Sequence, residues 1–346
     1  MVETQPMISI LIPALGERDR IGRCINAVLA QSWPKERTEI VLVDASPEDG
    51  TADYVRALLR RSLGPTLKVV ENPGGSRSSN LNLGLQESTG ELIVRVDARS
   101  AIPSGYLEIC EEVLAQPEIM VVGGSQHAVA LSANSRQTGI ARGLNNRFAM
   151  GMAKYRRSSL AGPADTVYLG AFRRHDLLSV GGWDESLDVN EDYDLNQRLS
   201  RYGLIWFEPI LQVDYTPRES LRSIATQYWG FGRWKARYLL EKDARIRPRQ
   251  LVGVAVLPVF LGLIGLFARL ESKKRSKVAV FGVAAALVLE SLGGGAQPKL
   301  LVRERFWSVL TCATVVTSWS GGLWAEMLGM QGKRPEPSAA AKVTDC

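Results

Sequence analysis

The stretch "ISILIPALGERDRIGRCINAVLAQSWPKERTEIVLVDAS", residues 8–46, holds a β-rich run, a helical run and a second β-rich run, in that order. The first run is almost wholly apolar and ends in a loop that contains Pro13. Ile21, Ile25, Val28 and Leu29 then recur at helical spacing. "TEIVLVDAS" is again apolar without alternation, the mark of a strand covered on both faces. Working outward, "TADYVRALLRRSL" (51–63) predicts a second helix with Val55, Leu58 and Leu59 turned inward, and "SNLNLGLQES" (79–88) a short one. "LKVVENP" (67–73) and "GELIVRVDAR" (90–99) are further strands, and the alternation of strand and helix continues to about residue 215. Together these segments predict an α/β fold, a mostly parallel sheet with helices on both faces.

Sheets of this kind bind ligands at the carboxyl ends of their strands. That rule selects Asp44, Asp97 and, just beyond the first strand, Glu17. Each alone is explained as a cap on the next helix or turn. All three together favour a polar ligand with hydroxyl and amide donors, with a cation able to bridge the acids to a phosphate. No GxGxxG follows the first strand and no GxxxxGK[ST] occurs, so neither a dinucleotide fold nor a P-loop fits. A second acid cluster lies in "DVNEDYDLNQRLSRYG" (188–203). Asp188 or Asn190 is expected to cap a helix there, Asp194 to pair with Arg198 one turn on, and Gly203 to end it. Asp192 shares a face with Leu195 and Leu199, which makes it either a satisfied structural acid or a base in a pocket.

Composition narrows the class. The chain has 346 residues, 45% hydrophobic and 23% charged, so a packed core is expected rather than wholesale disorder. A net charge of +6 is too mild to argue for nucleic acid. Four scattered cysteines suggest neither a metal site nor a disulfide framework. Two histidines, His127 and His175, leave little room for a serine–histidine triad or a multi-histidine zinc site. The N-terminus lacks the basic start and long apolar run of a secretory signal.

The C-terminal third differs. Residues 251–268 and 306–325 carry no charge, and 278–289 form a shorter apolar run before Glu290. The first of these would be about 27 Å long as a helix, against roughly 30 Å of hydrocarbon. Buried soluble helices explain any one run, whereas three predict membrane association. Basic clusters before and between the runs cannot all be cytoplasmic with three simple crossings, so a re-entrant bend at Pro258 is expected. The domain reading is a catalytic region 1–245, a membrane-associated helical region 246–330 and a disordered tail 331–346.

The motifs are recognisable as a set. "ISILIPALGERDRI", "VLVDASPEDGT", "NLNLGLQESTGELIVRVDAR" and "GAFRRHDLLSVGGWDESLDVNEDYDLNQRL" resemble, in order and spacing, those of the family-2 glycosyltransferases of the GT-A fold. Within that family the chain resembles the membrane-associated bacterial enzymes that elongate lipid-linked exopolysaccharide units, such as the succinoglycan glucosyltransferases. The resemblance spans about residues 7–240 and implies a Rossmann-like, mixed but mostly parallel sheet with helices on both faces. It implies an inverting hexosyl transfer from a nucleotide-diphosphate-sugar, a UDP-hexose by expectation, to a polyprenyl-diphosphate-linked saccharide at the inner membrane, with the catalytic domain facing the cytoplasm. Pro13, Glu17, Asp44, Asn82, Asp97 and Arg99 would then bind the nucleotide-sugar. Asp97 would meet the diphosphate directly or through Mg²⁺ or Mn²⁺, and Asp192, beside Glu191, would be the general base. Arg99 stands where the family often has a second metal ligand, and a guanidinium cannot coordinate one. "GFGRW" (230–234) resembles the Q-x-x-R-W motif of processive synthases with Gly230 in place of Gln, which favours addition of one sugar.

The acceptor side is expected along two segments. No acid occurs between Glu118 and Asp165, while Arg136, Arg142, Arg147, Lys154, Arg156 and Arg157 do. Ile140, Leu144, Phe148 and Met152 recur every four residues there, which predicts an amphipathic helix with a basic face toward anionic lipid. Arg233 and Trp234, among the aromatics of "QYWGFGRWKARYLLEK" (227–242), are expected to face acceptor or membrane. Two other classes compete, a nucleotidyltransferase and a non-catalytic component of polysaccharide assembly. The missing glycine-rich basic loop opposes the first, and the intact Glu191–Asp192 pair opposes the second.

Overall fold

The computed structural model describes residues 5–60, 64–147, 149–150, 159–187, 189–241, 248–293 and 301–330. The chain divides into two compact units, one built from Met1–His127 and Ala153–Tyr215, the other from Ala128–Met152 and Thr216–Lys333. The 331–346 tail lies outside the described residues.

In the first unit β1 (Ile8–Ala14), β2 (Thr38–Asp44), β3 (Thr66–Glu71) and β4 (Leu92–Arg95) are mutually parallel where they pair. With β6 (Ile119–Gly124), β8 (Gly162–Pro163), β9 (Tyr168–Arg173) and β10 (Leu204–Phe207) they form an eight-stranded sheet, ordered β3-β2-β1-β4-β9-β6-β10-β8. The sheet is mixed, because β9 runs antiparallel to both β4 and β6. A small sheet of β5 (Ser100–Ala101), β11 (Val213–Tyr215) and β7 (Gln126–Ala128) completes the strands.

Both faces of the large sheet are apolar, which is why its strands do not alternate. Ile10, Ile12, Ile40 and Leu42 pack with Ile21, Ile25 and Val28 of α1 (Ile21–Leu29) and Val55 of α2 (Thr51–Leu59). Leu11, Val41 and Val43 pack on the other side with Leu81 and Leu85 of α3 (Arg77–Glu87) and Leu195 and Leu199 of α7 (Glu191–Leu199). Each such side chain contributes about 1.5–3 kcal/mol when fully buried. The parallel strands deliver Asp44 and the segment after Arg95 to one edge.

Close approach at the end of β6 requires its two glycines. A Cβ on Gly123 would collide with the Leu169 carbonyl, and one on Gly124 with the Leu211 carbonyl. The β6–β9 register shifts between Val122 and Gly124, and Leu169 has φ 43°. Gly124→Ala should therefore cost about 1–3 kcal/mol of stability, as overpacking does, read as a lower urea midpoint at unchanged slope.

The second unit holds α5 (Ser135–Asn145), α8 (Leu221–Glu241), α9 (Pro248–Ala268), α10 (Ser272–Gly293) and α11 (Val302–Met327). Glycines set its packing. A Cβ on Gly232 of α8 would strike the Trp319 carbonyl of α11, and one on Gly322 of α11 the Trp229 carbonyl of α8. Small residues let the two backbones meet. Gly232, the second glycine of "GFGRW", is thus a packing residue, whereas a Cβ on Gly230 would meet open space. Arg233 and Arg237 both donate to Glu326, at 2.7 and 2.5 Å.

Two expectations change here. Among the described residues no helix is long and apolar enough to cross a membrane. Helix α9 runs through Pro258, so the bend expected there is absent. Helix α10 carries Arg275, Lys277 and Glu290, and α11 starts with Arg303, Glu304 and Arg305. Arg142 does not belong to the expected basic face, because its guanidinium is buried against Glu290, whereas Arg136 and Arg147 are exposed. Ile140 and Leu144 are buried as expected, but α5 ends at Asn145, and Phe148, Met152, Lys154, Arg156 and Arg157 lie outside the described residues.

Candidate active site

The site grows from the end of β4. In "RVDAR" the strand ends at Arg95, Asp97 lies two residues beyond it, and the chain turns at Ala98 and Arg99, where Ser100 N–H donates to the Asp97 carbonyl at 2.8 Å. Arg95 is 1% exposed, a charged side chain inside an apolar strand. It donates to Asp97 Oδ1 at 3.0 Å and to Glu191 Oε1 at 3.4 Å, and it forms an ion pair with Asp192. Arg77, from α3, meets the same Glu191 oxygen at 3.4 Å. One guanidinium therefore joins the acid that ends a strand to both acids that start α7.

Helix α7 presents those acids through its entry. Asn190 precedes it in a left-handed conformation, φ 68°, and makes no side-chain cap, while Asp188 lies outside the described residues. Asp194 pairs with Arg198 at 2.8 Å as its spacing predicts. Arg198 also donates to the carbonyls of Val180 and Gly182, both at 2.7 Å, fixing the "GGWDE" loop. From that loop the Trp183 indole N–H donates to Asp192 Oδ1 at 3.3 Å. Asp192 is half-buried rather than packed inward with Leu195 and Leu199.

Charge sets the ionisation of the acids. Burial pushes the Asp192 carboxyl up to about 6, with Arg95 working against that shift and Glu191 and Asp97 adding to it. Burial also acts upward on Asp97, yet Arg95 and Arg77 outweigh it and hold Asp97 below the usual carboxylate range. Two carboxylates around one guanidinium thus separate, one firmly ionised and one poised near neutrality.

The other predicted residues fall in four places. Asp44 ends β2 fully buried, with Oδ1 accepting from Ser46 N–H at 2.9 Å and Oδ2 buried without a hydrogen-bond partner among the described residues. Burial raises its pKa. Pro13 lies in β1, in register with Val43, one residue before Ala14 meets Asp44. Glu17 and Arg99 form a pair with Arg99 Nε 2.7 and 3.0 Å from the two carboxylate oxygens. Asn82 brackets Trp183 instead, donating to its carbonyl and accepting from its N–H, both at 2.8 Å, and also donates to Glu185. Arg233 and Trp234 belong to the second unit. His127 is held by Asp214, at 2.9 Å, which also accepts from Arg23 at 2.8 Å.

A divalent cation at Asp97 does not fit the residues present. Arg95 occupies one oxygen of Asp97, and Arg99 can coordinate nothing. Among the described residues no group of three or more His, Cys, Asp or Glu could hold a metal ion. Arg95 and Trp183 were not selected from sequence. The signal for Arg95 was present, a lone cation in an otherwise apolar strand two residues before a strand-ending acid.

Residues 9–174 match the family model described as glycosyl transferase family 2. The chain is 30% identical over 325 residues to the succinoglycan biosynthesis protein ExoA of Rhizobium meliloti, covering 92% of this chain and 94% of that protein. It is 28% identical over 199 residues to the beta-monoglucosyldiacylglycerol synthase of Synechocystis sp., 56% of this chain and 40% of that one. Among solved structures it is similar in fold to the mannosyltransferase PcManGT of Pyrobaculum calidifontis, in complex with GDP-Man and Mn²⁺. That similarity has a TM-score of 0.64 at 18% identity, over 94% of this chain and 89% of that one.

Proposed function

The chain belongs to glycosyl transferase family 2 and is a glycosyltransferase, and from that premise we propose that it adds a single hexose, with inversion, to a lipid-linked saccharide in exopolysaccharide or cell-envelope glycan synthesis. The donor in this reading is a nucleotide-diphosphate-sugar, UDP-hexose first among them. The observation that carries it is the single guanidinium of Arg95, which joins Asp97 to Asp192.

Asp192 takes the proton of the acceptor hydroxyl as that oxygen forms its bond to the anomeric carbon. The bond from that carbon to the diphosphate oxygen breaks on the opposite face, and the nucleoside diphosphate leaves with the electron pair. A carboxyl held at about 6 is ionised at neutral pH and still basic enough to accept the proton. The orphaned Oδ2 of Asp44 is suited to an N–H of the nucleobase, since a buried acceptor without a donor costs stability until one arrives. Asn82 acts by holding the Trp183 loop against Asp192 rather than by touching sugar. No step is routed through a metal.

The second unit gives the reading its membrane surface. Phe260, Leu261, Leu263, Ile264 and Leu266 of α9 and Val288, Leu289 and Leu292 of α10 are exposed. An exposed apolar patch of this extent marks an interaction surface, in this reading one that meets the cytoplasmic leaflet, where a polyprenyl-diphosphate acceptor would be anchored. The deciding assay offers membranes containing the protein a panel of labelled nucleotide-sugars and extracts the lipid fraction. Label in that fraction from one donor is the expected result. A protein that binds nucleotide yet labels no lipid from any donor would sink the reading.

A further inference from the structure

A buried arginine among acids needs a reason. Arg95 lies in the middle of the sheet at 1% exposure, between a donor-side acid and the start of α7. Its partners come from separate parts of the chain, Asp97 two residues on and Glu191 and Asp192 nearly a hundred residues later. The planar fork of a guanidinium suits such convergence, because it offers several donors at fixed angles and stays charged at any working pH.

We propose that Arg95 is a positioning residue that acts as a built-in cation, holding Asp192 and Asp97 in one geometry so that sugar transfer needs no divalent metal. This rests on the reading of Asp192 as the base. An ion entering at Asp97 would have only the oxygen that Arg95 leaves, with no second protein ligand at Arg99, and would sit beside the positive charge of Arg95. The charge that develops on the leaving diphosphate is met instead by Arg77 and Arg99. Their side chains are 51% and 22% exposed, and each is held by a single carboxylate partner of this site, Glu191 and Glu17. The charged groups facing Asp192 are Arg95 and Asp97 at the end of β4, Glu191 on its own helix and Arg77 on α3. Removing Arg95 takes away the largest influence that favours its ionised form.

The test uses the purified full chain in detergent. Transfer is measured in EDTA and with added Mn²⁺, and the affinity for UDP and GDP is measured by calorimetry under both conditions. Transfer and affinity should each change by less than about threefold, where a metal that clamps a diphosphate would make a difference of tenfold or more. Arg95→Ala should lower kcat by about 100-fold with little change in donor KM, as loss of a positioned group does. Its pH–rate profile should have its acid limb moved to higher pH, and guanidinium ions should restore part of the rate. Loss of transfer in EDTA with recovery in Mn²⁺ would overturn the proposal. So would a folded Arg95→Ala with unaltered kcat and acid limb. Should that variant not fold, the EDTA and nucleotide arms on the unaltered protein decide alone. If no donor supports transfer, the functional reading falls, while metal-indifferent nucleotide binding still upholds the inference and metal-dependent binding overturns it.

Discussion

Asp192→Asn should abolish most transfer, by about 10²- to 10⁴-fold in kcat, while nucleotide affinity stays within about twofold of the parent. The amide keeps the shape of the side chain and can still accept from Trp183 and Arg95, so the site keeps its architecture. What it loses is the ability to take a proton. The same assignment fixes a pH profile for the parent enzyme. The base works only when ionised, so kcat should rise with pH through about 6, the value burial gives Asp192, and level off above it. Asp97, held below the usual range by Arg95 and Arg77, stays ionised throughout and adds no second limb near neutrality. Full activity in Asp192→Asn, or an acid limb that persists in it at the same pH, would place the base elsewhere.

The sequence disclosed the acids of this site more readily than what holds them. Asp44 and Asp97 follow from a rule about strand ends, and Asp192 from its place on a helix whose next apolar residues point to the core. Those rules concern local periodicity, which one segment carries by itself. Arg95 escaped selection because its meaning lies in Glu191 and Asp192, on another element. The contact of Asn82 with Trp183 was hidden for the same reason, since nothing local shows that it brackets that residue. The sheet was legible as parallel through β1 to β4, yet the antiparallel β9 inserted between β4 and β6 was not, because pairing direction leaves no mark in an apolar run. The C-terminal runs misled through their lack of charge. Apolar length alone does not separate a spanning helix from one that presents an apolar face to a surface, and the glycines that bring α8 and α11 together are visible only once both helices are paired.

Glu290 carries the largest expected effect on stability. Its apolar run appeared to stop at this residue, but α10 continues through it to Gly293 and turns the carboxylate inward. There its side chain is 1% exposed, with Oε1 accepting from Arg142 and, at 2.9 Å, from Ser308. Glu290→Ala would strand the Arg142 guanidinium, 7% exposed, without its charge partner, and should cost about 3–5 kcal/mol. The double replacement Arg142→Met with Glu290→Leu should cost far less, because it removes both desolvated charges and fills the space with apolar atoms. Denaturant unfolding of the parent, Arg142→Met, Glu290→Leu and the double replacement gives the coupling directly, with transfer activity followed in parallel. Additive losses in the cycle would mean that the pair contributes nothing as a pair. A double variant much more stable than the two single losses added together would show that the buried charges support the packing of α10 only as a pair.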